Sequence, residues 1–147
     1  MVNKLVAKLQ RDFPDFKFVD SDTAHWSPTE QTIFYSNNLA NLLHELGHAI
    51  LNHKDFTQDI ELLQIERDAW TKAREIAPNY DIEIDDETIE TAMDAYRDWL
   101  HDRSLCPTCG QTGLQSVKNL DYYCVNCGQH WQANDARTCG LKRRKIK

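Results

Sequence analysis

The spacing of apolar residues predicts four helices and several short strands. Apolar side chains recur every three or four residues in four segments: 3–12, 39–53, 59–76 and 87–103. Short apolar runs at 16–19 and 32–36 predict strands before the second helix. Polar residues are placed to cap the last three helices: Asn37 or Asn38, Asp59, and Asp85 or Asp86. We therefore expect an α+β domain with a small sheet and about four helices.

A cysteine pattern replaces the helical pattern beyond residue 103. Two Cys-x-x-Cys pairs are each followed by glycine: Cys106 and Cys109, then Cys124 and Cys127. Four thiolates at this spacing typically hold a structural zinc ion, which stabilises a segment too small for its own core. Redox cysteines are the alternative. Short strands are expected at 114–118, 122–123 and 130–132, so the pattern predicts a zinc ribbon. The fifth cysteine, Cys139, has no assigned role.

The two segments also differ in charge. Residues 1–103 carry 10 Lys and Arg against 21 Asp and Glu, a net charge of −11, whereas residues 104–147 carry 7 against 2, a net charge of +5. We therefore expect two domains with these bounds. The first helix lacks the continuous apolar run of a signal peptide, and no segment reaches transmembrane length. A cytoplasmic protein without membrane contact is expected.

The second predicted helix contains the pattern His-Glu-x-x-His. His44 and His48 are four residues apart and share one helix face, so both rings can bind one metal ion. Glu45 lies about 100° round the helix from His44, within reach of a water molecule on that metal. Zinc acidifies such a water, and a carboxylate takes its proton. The pattern predicts a catalytic zinc ion with Glu45 as general base; histidines that merely fill space are the alternative.

A catalytic zinc ion needs a third protein ligand, and three residues are candidates: His53, Glu61 and Glu66. His53 lies about 140° from the face of His48 and is expected at the helix end or in solvent. Glu61 has mostly polar neighbours at helical spacing. Glu66 projects from the apolar face of its helix, where a carboxylate is costly unless it is paired. We therefore predict Glu66 as the third ligand, with an ordinary glutamate at the edge of that face as the alternative.

Two stretches of the sequence resemble the ImmA/IrrE-type metallopeptidases. They are "LLHELGHAILNH" at 42–53 and "IERDAW" at 65–70, and the resemblance extends over about residues 15–76. It implies a minimal zincin fold, an activity towards repressor-like proteins, and a zinc site formed by His44, His48 and Glu66 with Glu45 as general base.

A weaker resemblance connects the chain with SprT-like peptidases. These enzymes combine His-Glu-x-x-His with a C-terminal zinc module and act on DNA-linked proteins. Their third ligand is a downstream histidine, and here no histidine follows His53 until His101. In the ImmA/IrrE-type pattern Trp70 is a mild departure, and a C-terminal cysteine module is not typical.

These patterns together predict a zinc endopeptidase that acts on a protein substrate, with one catalytic and one structural zinc ion. The alternative is a non-catalytic adaptor, but a structural site has no use for Glu45. An extended substrate is expected to pair with an edge of the sheet that contains 32–36.

The role of the ribbon is open at the sequence level. Nucleic-acid binding is one interpretation, carried by the basic segment 141–147 and by aromatic side chains expected to be exposed: Tyr122, Tyr123 and Trp131. Docking on the acidic domain and docking on the protein substrate are equally weighted alternatives, and a terminal charge run is often only solvated.

Overall fold

The computed structural model describes residues 1–134 and 141–146, which form a mixed α+β fold. The helices are α1 (Val2–Asp12), α2 (Leu39–Ile50), α3 (Asp59–Ile76) and α4 (Asp86–Ser104), with a short 3₁₀ helix at Ala77–Tyr80. The strands are β1 (Lys17–Asp20), β2 (His25–Ser27), β3 (Thr32–Tyr35), β4 (Leu114–Gln115), β5 (Tyr122–Tyr123), β6 (His130–Ala133) and β7 (Arg143–Ile146). The expected α+β class, with four helices and two small sheets in these residues, is confirmed.

The chain divides into two compact units. The first comprises Met1–Asp55 and Gln64–Ile89, and the second comprises Phe56–Leu63 and Glu90–Lys147. Helices α3 and α4 therefore each contribute residues to both units. The expected domain boundary at 103/104 concerns which parts fold on their own, and it stays a prediction.

The first unit contains a three-stranded sheet in the order β1-β3-β2. Strand β3 lies in the middle, parallel to β1 and antiparallel to β2, with Trp26 opposite Ile33. The sequence analysis missed β2, because three residues are too few to show an alternating pattern. Both sides of β3 are paired, so β1 and β2 are the edge strands of this sheet.

Helix α2 packs against β2 and β3 and buries three leucines, Leu42, Leu43 and Leu46. Its N-terminus is capped as expected: the Asn38 side chain accepts a hydrogen bond from the Asn41 backbone N–H at 3.0 Å. The helix ends at Ile50 rather than at 53. Asn52 adopts a left-handed conformation with φ 55°, which turns the chain back so that the His53 backbone N–H bonds to the His48 carbonyl at 3.0 Å.

The second unit contains a four-stranded antiparallel sheet in the order β4-β5-β6-β7. Its core consists of Tyr122, Trp131 and the ligand cysteines Cys106 and Cys124. Trp131 is 0 % exposed and Tyr122 is 3 % exposed, so the expectation that these rings form an exposed surface is wrong. The alternation in β6 explains this, since Trp131 lies between two exposed residues and points inward.

A buried ion pair joins the start of α3, the end of α4 and the ribbon sheet within the second unit. The Asp59 carboxylate accepts hydrogen bonds from Arg103 Nε at 2.9 Å and from the Tyr122 hydroxyl at 2.6 Å. The Asp59 backbone N–H bonds to Gln115 Oε1 at 2.7 Å, and Trp131 Nε1 donates to the Arg103 carbonyl at 3.0 Å. Because its charges are paired and its polar atoms bonded, this cluster is tolerated in the interior.

Among residues 1–134 and 141–146, no helix combines the length and the apolar character that a bilayer crossing requires.

Candidate metal centres

Helices α2 and α3 bring three predicted ligands together in the first unit. His44 Nε2 lies 2.8 Å from Glu66 Oε2, His48 Nε2 lies 3.2 Å from the same oxygen, and the two nitrogens are 3.1 Å apart. All three side chains are buried. The pairing of two histidines with a glutamate 18 and 22 residues away therefore follows from the crossing of two helices.

The spacing of these atoms fits a zinc ion. Ligand atoms that are about 2.0–2.1 Å from a tetrahedral zinc lie about 3.3–3.4 Å from one another. The three distances above are at or slightly below that value, as expected for ligands that close on each other through hydrogen bonds. Two imidazoles and one carboxylate also form a donor set that zinc prefers and leave a fourth position for water or substrate.

A glycine permits the close approach of α2 and α3. A Cβ atom placed on Gly47 would lie 2.4 Å from the Ala69 carbonyl oxygen, a backbone atom that cannot move aside alone. Glycine in a helix interior costs stability, so its presence there indicates a packing requirement. A glycine inside the predicted helix 39–53 is thus the signal in the sequence for this close contact.

Glu45 lies beside the three ligand atoms. One of its carboxylate oxygens is within 4.8 Å of the ligand nitrogens of His44 and His48, a separation that one water molecule can bridge. Burial raises the pKa of Glu45 to about 7, and Glu66 adds to the rise. Two interactions that favour the charged carboxylate, with His48 and with the backbone of Trp26, act in the opposite direction and lower this pKa.

The remaining ionisable groups of the site form a coupled cluster. Burial alone would raise the pKa of Glu66, but the hydrogen bonds from His44 and His48 outweigh it and lower that pKa to about 2. Burial lowers the pKa of His44. Burial opposes protonation of His48 as well, yet its contact with the Glu66 carboxylate raises its pKa overall. Glu66 is therefore ionised at neutral pH, as a metal ligand must be.

Two further residues contact the histidines, and the sequence analysis gave neither of them this role. His53 places Nδ1 at 2.9 Å from His48 Nδ1, and the Trp26 indole N–H donates to the His53 carbonyl at 3.0 Å. Trp70 stacks on the His44 ring with centroids 4.3 Å apart. Among the described residues, His44 Nδ1 and Trp70 Nε1 have no hydrogen-bond partner. Trp70, which departs from the ImmA/IrrE-type pattern, thus covers one face of the His44 ring.

Glu61, the candidate that was set aside, is bonded elsewhere. Its carboxylate accepts hydrogen bonds from the Thr57 backbone N–H at 3.1 Å and from the Thr57 hydroxyl at 2.9 Å, which lower its pKa. It is an exposed residue of the first turn of α3.

The four ribbon cysteines form a second cluster, in the second unit. Cys106 and Cys127 have sulfurs 3.6 Å apart, those of Cys109 and Cys124 are 3.5 Å apart, and all four lie within 4.8 Å of one another. Thiolates about 2.3 Å from a tetrahedral zinc are separated by about 3.8 Å, so the cluster fits one zinc ion. A four-thiolate site is closed to substrate and has a structural role.

The two Cys-x-x-Cys turns have the same backbone geometry. Gly110 and Gly128 both adopt φ 78°, and each donates its N–H at 2.9 Å to the carbonyl of the cysteine four residues earlier. Only glycine adopts this conformation without strain, which explains the glycine after each pair. Cys139 lies outside the described residues.

No protein-family model, no curated protein and no solved structure matches the chain. The resemblance to ImmA/IrrE-type and SprT-like peptidases, and with it the zincin fold, stays a prediction.

Proposed function

We propose that this protein is a zinc-dependent endopeptidase that hydrolyses peptide bonds in a protein substrate. One observation carries the proposal: a set of three ligand atoms within 3.2 Å of one another has a half-buried carboxylate, Glu45, close to its two histidines. The three ligands complete the metal site without it. A second carboxylate beside the three ligands is the general base that hydrolysis requires.

The residues of the site divide the chemistry among them. His44, His48 and Glu66 would hold the zinc ion, which when bound supplies Lewis acidity that acidifies water and polarises a substrate carbonyl. Glu45 accepts the proton of the attacking water. The protonated Glu45 can then return that proton to the leaving amine.

The substrate peptide is proposed to lie along β2. This strand is at an edge of the sheet, and the Trp26 backbone, which interacts with Glu45, belongs to it. Addition of a peptide as a further strand uses backbone hydrogen bonds and discriminates little between sequences. We therefore propose that selection of the protein substrate, a repressor-like or DNA-associated regulator as the resemblance implies, involves the ribbon. A cytoplasmic location is part of the same proposal.

The test is a comparison of three glutamate-to-glutamine variants in zinc content and in cleavage of a peptide library. Glu45→Gln should retain zinc and lose at least about 100-fold in cleavage rate, because the general base is not a ligand. Glu66→Gln should weaken zinc binding at that site. Glu61→Gln, on the exposed side of the same helix, is the matched control and should change neither.

Two results would overturn the proposal. Cleavage by Glu45→Gln at the wild-type rate would remove the mechanism. Absence of cleavage by the zinc-loaded wild-type protein, across the whole library, would favour the non-catalytic adaptor.

A further inference from the structure

The second unit contains a cavity of about 420 Å³ that involves none of the metal-ligand candidates. This volume is within the range of about 300–1,000 Å³ that small-ligand pockets occupy. Phe56 and Trp99 line one part of it, with their rings edge to face and centroids 6.4 Å apart. The turn that precedes β5 and the end of β6 line another part. The cavity therefore combines aromatic rings with polar groups.

Arg103, the arginine that lines this cavity, already has partners. Arg103 is paired with Asp59 at 2.9 Å, donates to the Asn134 carbonyl and lies over the Trp99 ring at 4.8 Å. Among the described lining residues, no other arginine or lysine is present. A phosphate or carboxylate would therefore find no free positive charge inside, so the cavity favours an uncharged ligand group.

Three polar groups that line the cavity have unused bonding capacity. The side-chain oxygen of Asn119 accepts a hydrogen bond from the Asp121 backbone N–H, and the side-chain oxygen of Gln132 accepts one from Arg144. The NH₂ groups of these two amides have no described partner. The Asp121 carboxylate likewise has no described hydrogen-bond partner. Donors and an acceptor beside aromatic rings complement the edge and the faces of a nucleobase.

One positive side chain of strand β7 lies next to this cavity. Strand β7 carries Arg143, Arg144 and Lys145, and it pairs with β6 so that Arg144 is opposite Gln132, a lining residue. Because side chains alternate between the two faces of a strand, Arg144 shares the face of Gln132, while Arg143 and Lys145 point to the other face. A cation held in a hydrogen-bonded strand beside a base pocket suits a phosphate that flanks a bound base.

We propose that this cavity binds one unstacked base of a single-stranded nucleic acid, while Arg144 of β7 contacts a phosphate beside it. Asp121 accepts hydrogen bonds from the base, the amides of Asn119 and Gln132 donate to it, and the half-buried Phe56 ring covers a face. A base inside a duplex is stacked and paired and does not enter such a cavity. This inference does not depend on the proposed peptidase activity.

The experiment measures fluorescence anisotropy with the full-length, zinc-loaded protein. The probes are a fluorescein-labelled DNA 10-mer of mixed sequence as a single strand and the same 10-mer as a duplex, each at several salt concentrations. The single strand should bind at least about 10-fold more tightly than the duplex. Arg144→Ala should reduce the slope of log affinity against log salt by about one.

The decisive variant is Asp121→Asn, because two readings predict opposite signs. On a purely electrostatic surface, removal of a negative charge strengthens DNA binding. If Asp121 accepts hydrogen bonds from a base, the variant should instead bind the single strand about 5- to 10-fold more weakly. Asp102→Asn makes the same change at an exposed residue of α4 that does not line the cavity, and it should not weaken binding.

Three outcomes would overturn the proposal. They are absence of single-strand binding at 50 mM salt, equal affinity for strand and duplex, and tighter binding by Asp121→Asn. Displacement of the bound strand by an unlabelled aromatic-rich peptide, together with equal affinity for strand and duplex, would assign the cavity to a protein ligand. Circular dichroism and zinc content, measured for every variant, identify a variant that fails to fold, and Asn119→Ala then serves as a second test.

Discussion

His53 Nδ1 lies 2.9 Å from His48 Nδ1, whereas His48 Nε2 lies 3.2 Å from the Glu66 carboxylate. One ring nitrogen of His48 is thus directed at the metal site and the other at His53. With a metal ion bound to His48 Nε2, the ring proton of His48 is on Nδ1, and this N–H donates a hydrogen bond to His53 Nδ1. Such a bond fixes the tautomer and the ring orientation of a ligand histidine.

We predict that His53→Leu lowers zinc affinity at this site about 10- to 100-fold, the usual effect of losing a hydrogen bond to a ligand histidine. His53→Gln supplies an amide oxygen as acceptor and should restore part of the affinity. His101→Leu, at an exposed histidine of α4, is the control. Competition with a chromophoric chelator measures all three variants, and wild-type affinity in His53→Leu would remove the positioning role.

The two clusters predict a zinc content of two ions per chain. The His44/His48/Glu66 site keeps an open position, so a mild chelator should remove its zinc first, while the four thiolates retain theirs. Elemental analysis before and after chelation gives both numbers. A single zinc ion in folded, metal-replete protein would show that one ligand set is misassigned.

The close approach of Gly47 to Ala69 predicts that Gly47→Ala disturbs the candidate zinc site by displacing α3. The added methyl group meets the Ala69 carbonyl, so α3 must shift and carry Glu66 with it. We expect a loss of roughly 1–3 kcal/mol in unfolding free energy, despite the better helix propensity of alanine, together with weaker zinc binding. Thr71→Ala, on the exposed face of α3, is the control. Unchanged zinc affinity in Gly47→Ala would mean that α3 adapts without moving Glu66.

The raised pKa of Glu45 predicts a pH-dependent gain in stability for Glu45→Gln. Burial raises this pKa from 4.5 to about 7, so the folded chain holds the proton more strongly than the unfolded chain. Wild-type stability must therefore fall as pH rises from about 4.5 to about 7, whereas the glutamine variant loses nothing from this position. Above pH 7 the variant should be more stable by at most about 3 kcal/mol.

The measurement is urea unfolding at pH 5 and pH 8 after the labile zinc has been removed, because a bound cation would alter the pKa of Glu45. Near pH 5, wild type and Glu45→Gln should have similar free energies of unfolding. Any difference there reflects the replacement of a carboxyl group by an amide. Glu61→Gln should show no gain at pH 8, since hydrogen bonds lower the pKa of Glu61. A difference between wild type and Glu45→Gln that does not change with pH would contradict the burial argument.

Local patterns predicted those parts of the structure that local interactions determine. The bounds of α3, the cap of α2 and the glycine after each cysteine pair follow from periodicity, capping and backbone conformation. The convergence of His44, His48 and Glu66 was also predictable, because one carboxylate projected from an otherwise apolar helix face. The helix bounds, the cap and the glycines require only residues within a few turns of one another, whereas the convergence of the three ligands also requires the crossing of α2 and α3.

Features that depend on distant residues were missed. Strand β2 is recognisable only through its pairing with β3, and its Trp26 contacts both Glu45 and His53. The early end of α2 depends on a left-handed Asn52, a conformation that asparagine tolerates but does not require. The interaction of Asp59 with Arg103 spans 44 residues, and neither residue signals it locally.

The Asp59 cluster modifies what we expect of a chain that ends at Arg103. Such a chain keeps the Asp59–Arg103 pair but loses Tyr122 and Gln115, which bond to the Asp59 carboxylate and backbone N–H. Hydrogen bonds to a buried charge are worth about 1.5–3 kcal/mol each. We therefore predict that amide hydrogens of 59–63 exchange at least about tenfold faster in the truncated chain, while those around Glu66 in α3 change much less.

The same truncated chain tests the role proposed for the ribbon. It should retain the zinc held by His44, His48 and Glu66 and cut unfolded peptides slowly, but lose most of its activity on a folded protein target. Measurement at two salt concentrations separates charge-steered docking from the other contributions. Full-length Tyr122→Phe removes one bond to Asp59 and leaves the ribbon in place, so it is the matched control for local fraying. If Tyr122→Phe and the truncated chain lose activity equally on peptide and protein, the ribbon acts only by stabilising the start of α3.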